Sequence, residues 1–186
     1  MKDPFLYPGT KTLINLFNIK DPEKLQELES AYYHVRLNQL CPLGKFDYDH
    51  LKDVHYHLFG DVYPWAGQER TIDIAKNNSY FAHVKFLTRE MNKTFSKLQG
   101  EYYLQGLEKN EFCIRLAHYF NEINAAHPFR EGNGRTLRLF TESLANQAGY
   151  KLRWIDVGKK EYLAASIAGF EKGDALLIAL LQKIID

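Results

Sequence analysis

Pro128 divides two helical patterns, and any fold the chain adopts must accommodate the short connection between them. Before it, Asn110 to Ala126 carries a heavily apolar face of Phe112, Leu116, Tyr119, Phe120 and Ile123, widened by Cys113, Ala117, Ala125 and Ala126. A helix apolar over so much of its surface belongs at the centre of a bundle. After it, Leu137, Phe140, Leu144 and Ala148 repeat at helical spacing from Gly134 to Ala148. Proline lacks an amide hydrogen and clashes with a preceding helical turn, so the first helix is expected to end at about His127. The central helix then forms a rigid base for His127.

The connection reads His127-Pro128-Phe129-Arg130-Glu131-Gly132-Asn133-Gly134-Arg135. Gly132 and Gly134 permit backbone angles closed to other residues and let a ligand approach the main chain. The next helix begins with unpaired amides and a partial positive charge, which suits phosphate, so the amides around Gly132, Asn133 and Gly134 read as an anion cradle. Arg135 and Arg138 add two cations at a spacing that puts them on one helical face. Glu131 is the only acid in this basic loop, and a lone carboxylate beside bound phosphates is a usual way to hold magnesium. His127 can take a proton near neutral pH. Phe129 reads as an anchor under the loop and Arg130 as a solvated side chain. A plain helix-loop-helix corner would need the glycines but neither the histidine nor the acid. The set implies phosphoryl or nucleotidyl transfer.

The rest of the chain is consistent with one helical domain over residues 1–186. Apolar content of 45% and charged content of 25% are ordinary for a globular protein. The formal net charge of +1 gives no basic field, so direct nucleic-acid binding is not expected. Cys41 and Cys113 make neither a CxxC pair nor a zinc pattern. No apolar run reaches the length of a membrane span or a signal peptide, which favours the cytoplasm. Residues 1–20 read as an arm packed on the domain. Asp21-Pro22 and Asp47 are helix starts, and the first of these helices is expected to bury Leu25, Leu28, Tyr32, Val35 and Leu40. His50, His55 and His57 in the second helix read as surface and packing residues. Val84 to Leu98, Lys159 to Phe170 and the stretch from Gly173-Asp174 through Ile185 complete the helices. Arg70 to Ala75 alternates polar and apolar, Asn77-Asn78-Ser79 is turn chemistry, and Tyr80 to Ala82 returns, which predicts one short β-hairpin over residues 70–83.

The loop resembles the signature of the Fic family, His-x-Phe-x-(Asp/Glu)-Gly-Asn-Gly-Arg-x-x-Arg, and matches it at every specified position from His127 through Arg138. Trp65-Ala66-Gly67 is a further likeness. The resemblance implies an all-α Fic fold with a β-hairpin flap. In such a flap Ile72, Asp73 and Ile74 would dock the target by main-chain pairing. It implies a protein adenylyltransferase that moves AMP from ATP, with magnesium, onto a hydroxyl of a target protein. His127 would be the base, Glu131 the magnesium ligand, and Gly132, Asn133, Gly134, Arg135 and Arg138 the nucleotide contacts. Tyr162 is a candidate for the adenine pocket. Family members that transfer bare phosphate carry a lysine where Gly134 stands, so nucleotide transfer is expected here.

Many Fic proteins carry an inhibitory helix patterned (Ser/Thr)-x-x-x-Glu-(Gly/Asn). Ser96 to Glu101 and Ser166 to Glu171 are each one residue too long, and neither glutamate is followed by glycine or asparagine. The enzyme is therefore either always active or inhibited by a separate small antitoxin that offers a glutamate to Arg138. Likeness to stand-alone bacterial Fic toxins implies type II topoisomerase subunits, gyrase and topoisomerase IV, as targets. A non-catalytic ATP sensor and a de-AMPylating enzyme of the same fold are the alternatives. The intact His127 and Glu131 argue against the first, and the missing inhibitory glutamate argues against the second.

Overall fold

The apolar stretch before Pro128 forms α4 (Lys109–Ala126), the central helix of the computed structural model. The structure describes residues 3–76 and 79–186, with backbone only at Lys76, Ser79 and Glu171. Around α4 lie α3 (Leu87–Gly100), α5 (Asn133–Gln147), α6 (Lys159–Glu171) and α7 (Ala175–Ile184); α1 (Pro22–Leu37) and α2 (Tyr48–Phe59) complete seven α-helices among the described residues. Phe112, Leu116 and Phe120 of α4 are wholly buried, as are Phe140 of α5, Leu87, Met91 and Leu98 of α3 and Leu177 and Leu181 of α7. Burying each such side chain stabilises the fold by roughly 1.5–3 kcal/mol, which makes α4 a fixed frame for the loop that begins at His127. No helix among the described residues is long and apolar enough to cross a membrane.

Helix starts reflect the local chemistry. The Asp21 carboxylate accepts hydrogen bonds from the Glu23 and Lys24 amides at 2.9 and 3.2 Å, and Asp47 accepts from the His50 amide at 2.9 Å. The interior face of α1 differs from expectation. Leu25 is buried, but Val35 is 59% exposed, and Leu40, past the end of the helix at Leu37, is 94% exposed. Polar and aromatic side chains hold α1 instead. Arg36 makes a bidentate pair with Asp61 at 2.6 and 2.7 Å, and the Tyr33 ring stacks on Phe59.

The predicted hairpin flap over residues 70–83 is corrected by the structure. Residues 71–74 form no strand; strand pairing covers Ala75↔Tyr80 and Lys76↔Ser79, with one further long bond from the Phe81 amide to the Ile74 carbonyl at 3.4 Å, a short contact rather than a flap. The turn assigned to Asn77-Asn78 lies outside the described residues. The reason is where the backbone groups go. The Ile72 and Ala82 carbonyls accept from the Arg70 guanidinium, the Ala82 amide donates to the Ala125 carbonyl of α4 at 3.2 Å, and the Val84 amide donates to the Asp73 carboxylate at 2.8 Å. The Ile72 and Ala82 carbonyls and the Ala82 and Val84 amides, bound in this way, cannot also extend the ladder beyond Ile74 and Phe81.

Candidate active site

α4 ends where Pro128 requires. The His127 amide still donates to the Ile123 carbonyl at 3.0 Å, but His127 itself is left-handed (φ 50°, ψ 62°), which turns the chain out of the helix. A left-handed residue other than glycine costs about 1–2 kcal/mol and needs support. Arg70, whose side chain is completely buried, supplies it by donating from Nε to the His127 carbonyl at 2.8 Å and from Nη2 to the Ala126 carbonyl at 3.1 Å. Burial lowers the Arg70 pKa from its ordinary value. The guanidinium stays charged because Asp73 lies nearby and backbone carbonyls accept its hydrogens. His127 Nδ1 lies 3.2 Å from the Asn124 carbonyl, which can only accept. That bond puts the proton on Nδ1 of the neutral ring and makes Nε2 the basic nitrogen. The Phe81 ring stacks on the imidazole at 3.8 Å between centroids.

The loop then folds over its own anchors. Phe129 is buried and stacks on the His55 ring at 3.9 Å. The Asn133 side chain accepts from the Phe129 amide at 2.8 Å and donates to the Phe129 carbonyl at 2.7 Å, which closes the loop. His55 accepts from the Gly67 amide on Nδ1 at 2.8 Å and faces the Glu131 carbonyl with Nε2 at 3.0 Å. Both bonds require the neutral ring with Nε2 protonated. Burial and, to a lesser degree, Arg135 hold its pKa down at about 4. His55 is thus a strut of the loop rather than a simple packing residue. Arg130, read as solvated, is instead paired with Asp3 at 2.8 Å, which ties the N-terminal arm to the loop.

This strut carries a pH dependence. Unfolded, a histidine titrates near 6.5; folded, His55 titrates at about 4. Below pH 6.5 the unfolded chain takes up a proton that the folded chain refuses. The stability from this group is therefore complete above pH 6.5 and lost as pH falls to 4. Over that interval the loss is roughly 3 kcal/mol. Urea unfolding between pH 7 and 4 is expected to show this decrement in the wild type and not in His55→Gln. Equal slopes in both proteins would refute the assignment.

At Gly132 (φ 83°) the chain enters α5, and the Gly132 carbonyl accepts from the Thr136 amide at 3.0 Å. The Glu131 carboxylate is half exposed, and its Oε1 accepts from the Gly132 amide at 3.0 Å. One helical turn on, Arg135 lies over the Phe59 ring at 4.6 Å and donates to the Glu29 carboxylate of α1 at 2.5 Å. Tyr63 also donates its hydroxyl to Glu29. Arg138 lies over the Tyr162 ring at 4.7 Å. A cavity of about 810 Å³ opens here, lined by Glu29, Tyr63, Glu131, Arg135, Arg138 and Tyr162 among others.

The structure therefore brings Glu131, Gly132, Asn133, Gly134, Arg135 and Arg138 together at the start of α5, with Tyr162 against them. Gly134 is the contact point: a Cβ there would lie 2.7 Å from the Tyr162 hydroxyl. Ile72, Asp73 and Ile74 lie on the segment tied to the end of α4 rather than on the cavity wall, and the Asp73 carboxylate is engaged with His83 at 3.1 Å. Glu29, His55, Arg70 and Phe81 are part of the site, although no sequence pattern pointed to them. No group of three or more His, Cys, Asp or Glu residues that could hold a metal occurs among the described residues.

Known proteins resemble this chain in sequence and in fold. Residues 45–145 match the model of the Fic/DOC family. The chain is 44% identical to the protein adenylyltransferase VbhT of Bartonella schoenbuchensis, over 97% of this chain and 38% of that protein, so it spans well under half of that relative's length. It is 39% identical to the probable protein adenylyltransferase y4lH of Sinorhizobium fredii, over 100% of this chain and 97% of that protein. Among solved structures, the N-terminal Fic domain of a putative cell filamentation protein from Bartonella quintana, with bound ADP, aligns with a TM-score of 0.92 at 30% identity, covering 98% of this chain and 94% of that one. The BepC protein of Bartonella tribocorum, with bound AMPPNP, aligns with a TM-score of 0.91 at 28% identity over 98% and 96% of the two chains.

Proposed function

The chain belongs to the Fic/DOC family, and we propose that it is a protein adenylyltransferase that moves AMP from ATP onto a hydroxyl side chain of a target protein. The observation that carries this reading is the single loop that joins His127 to the cavity bearing Glu131, Arg135 and Arg138. Relatives over the whole chain are named for this activity, and neighbours of the same fold hold ADP and AMPPNP.

Each residue takes a separate part of the work. The β- and γ-phosphates lie against Arg135 and Arg138, and the amides at Gly132, Asn133 and Gly134 face the α-phosphate. Held this way, the α-phosphorus is the atom in line with an incoming hydroxyl. The hydroxyl oxygen bonds to that phosphorus as the bond to the bridging oxygen breaks, pyrophosphate leaves with the bond electrons, and the hydroxyl proton passes to His127 Nε2. Glu131 fits magnesium: it is one half-exposed carboxylate at the cavity, and this ion commonly takes a single carboxylate, with phosphate oxygens and waters as its other ligands. When bound, the ion offsets charge that builds on the leaving group. Tyr162 lines the same cavity and is the residue we assign to the adenine side. The segment carrying Ile72, Asp73 and Ile74 is where we place the approaching target, because it is bound to the end of α4 beside His127.

A target among type II topoisomerase subunits and a separate antitoxin that presents a glutamate to Arg138 complete the proposal, on resemblance. The experiment that tests the core of it uses lysate, magnesium and ATP labelled at the α- or the γ-phosphate. Protein label from the α-phosphate only is expected. Label from the γ-phosphate would replace nucleotide transfer with phosphate transfer. Binding without label would leave an ATP sensor.

Glu29 adds a second test. Its carboxylate is largely buried and neutralises Arg135 before any nucleotide arrives. Phosphate must therefore compete with it. Glu29→Gln keeps the size and a hydrogen-bonding group but removes the charge. Calorimetry with ATP is expected to show tighter binding by about three- to tenfold, which corresponds to on the order of 1 kcal/mol. Weaker binding would mean that Glu29 serves to aim Arg135 rather than to oppose the phosphate.

A further inference from the structure

We propose that Arg70 is a positioning residue for the transfer step, joining the backbone of His127 and the segment that passes beside it into one rigid unit. The inference rests on the adenylyltransferase reading and adds a residue that the loop motif does not contain. Arg70 is completely buried, and its nearest carboxylate, Asp73, is 3.8 Å away and half exposed. Carbonyl groups from two directions solvate the cation instead. Ala126 and His127 come from the end of α4, Ile72 from the stretch 71–76 and Ala82 from the stretch 79–83. The Arg70 amide adds a fifth bond, to the Pro128 carbonyl at 2.9 Å. Every carbonyl from Ala126 to Pro128 thus accepts from this one residue.

The position of the base depends on these bonds. His127 is held left-handed, so its side-chain direction depends on what holds its carbonyl. Arg70 holds that carbonyl at 2.8 Å and, through Ala82, also places the strip that carries Phe81 against the imidazole. The ring is therefore fixed from its own backbone and from its stacked face by the same guanidinium. Only a planar fork with donors in several directions can do this; a lysine ammonium has one centre and cannot span both groups of carbonyls. The phosphate cradle begins at Gly132 and is held separately, by Asn133, His55 and Phe59. Loss of Arg70 should therefore spoil transfer and spare nucleotide binding, because a displacement of about 1 Å at a reacting group can cost 10²-fold in rate.

The test uses the full chain as Arg70→Lys and Arg70→Ala, beside the wild type. Calorimetry with Mg-ATP is expected to give dissociation constants within about twofold of the wild type, while kcat for α-phosphate label falls by about tenfold or more in both variants. Millimolar guanidinium is expected to restore part of the kcat of Arg70→Ala and none of that of Arg70→Lys, whose side chain fills the space. Hydrogen exchange gives a readout independent of activity: the amides of Ala82 and His127 should lose protection together in Arg70→Lys while those of α2 and α5 keep theirs. Arg70→Lys with wild-type kcat, a parallel loss of ATP affinity, or separate loss at the two amides would each overturn the proposal. A wild type that transfers no label at all would instead count against the adenylyltransferase reading, and the exchange experiment would still decide the role of Arg70.

Discussion

His127→Ala is expected to lower the rate of AMP transfer by about 10²–10⁴-fold and to leave ATP binding within about twofold. The expectation comes from where the imidazole sits. It ends α4 rather than starting α5, so it lies outside the group of amides and cations assigned above to phosphate. Its Nδ1 is directed at the Asn124 carbonyl, which leaves Nε2 to carry the basic lone pair in the neutral ring. Removing the ring removes a proton acceptor and a stacking partner for Phe81, and leaves Arg135, Arg138 and the first amides of α5 in the chain. The measurement is kcat for label from the α-phosphate, paired with a calorimetric dissociation constant for ATP. A variant that still transferred at the wild-type rate would exclude His127 as the base. A variant that failed to bind ATP would mean that the loop collapses without its histidine, and a crystal structure of His127→Ala would show the displaced Gly132.

The parts of the site that could be read in the sequence are those whose members are neighbours along the chain. His127, Glu131, Arg135 and Arg138 act within one loop and one helical turn, so their spacing alone put them together. The residues that were missed reach across the chain. Glu29 meets Arg135 from 106 positions away, His55 meets the Glu131 carbonyl from 76, and Arg70 meets the His127 carbonyl from 57. Each is a single polar side chain in an ordinary helix or loop, and periodicity carries no trace of such a pairing. The same limit explains the two structural corrections. Residues 70–75 alternate like a strand because Arg70 and Ile72 turn inward, but the inward arginine consumes the carbonyls that a hairpin would pair. The stretch from Leu25 to Leu40 shows apolar spacing, yet α1 ends at Leu37 and the bundle meets it through Leu25, Glu29, Tyr33 and Arg36. The bundle itself was legible because burial of α4 and α5 needs only the right apolar period.

Gly132→Ala is expected to destabilise the fold by roughly 2–4 kcal/mol and to abolish ATP binding together with transfer. Two costs combine at this position. The residue is left-handed at φ 83°, which an alanine adopts only at a penalty of about 1–2 kcal/mol. The added Cβ would also lie 2.5 Å from the Phe59 ring. That ring cannot withdraw, because it is buried among Tyr33 and His55 and lies beneath the Arg135 guanidinium. The loop must move instead, carrying with it the amides at the start of α5 and the cation one turn further on. The pattern is therefore the opposite of His127→Ala, which keeps binding and loses chemistry. Thermal melts and calorimetry with ATP distinguish the two. The double variant Gly132→Ala with Phe59→Leu separates the two costs, since the smaller side chain relieves the contact and leaves the backbone strain. Part of the stability should return in the double variant, with ATP binding still weakened. Wild-type affinity in the single variant would show that the cradle does not depend on close approach of the Gly132 backbone to Phe59, and the assignment of these amides to the phosphates would fail with it.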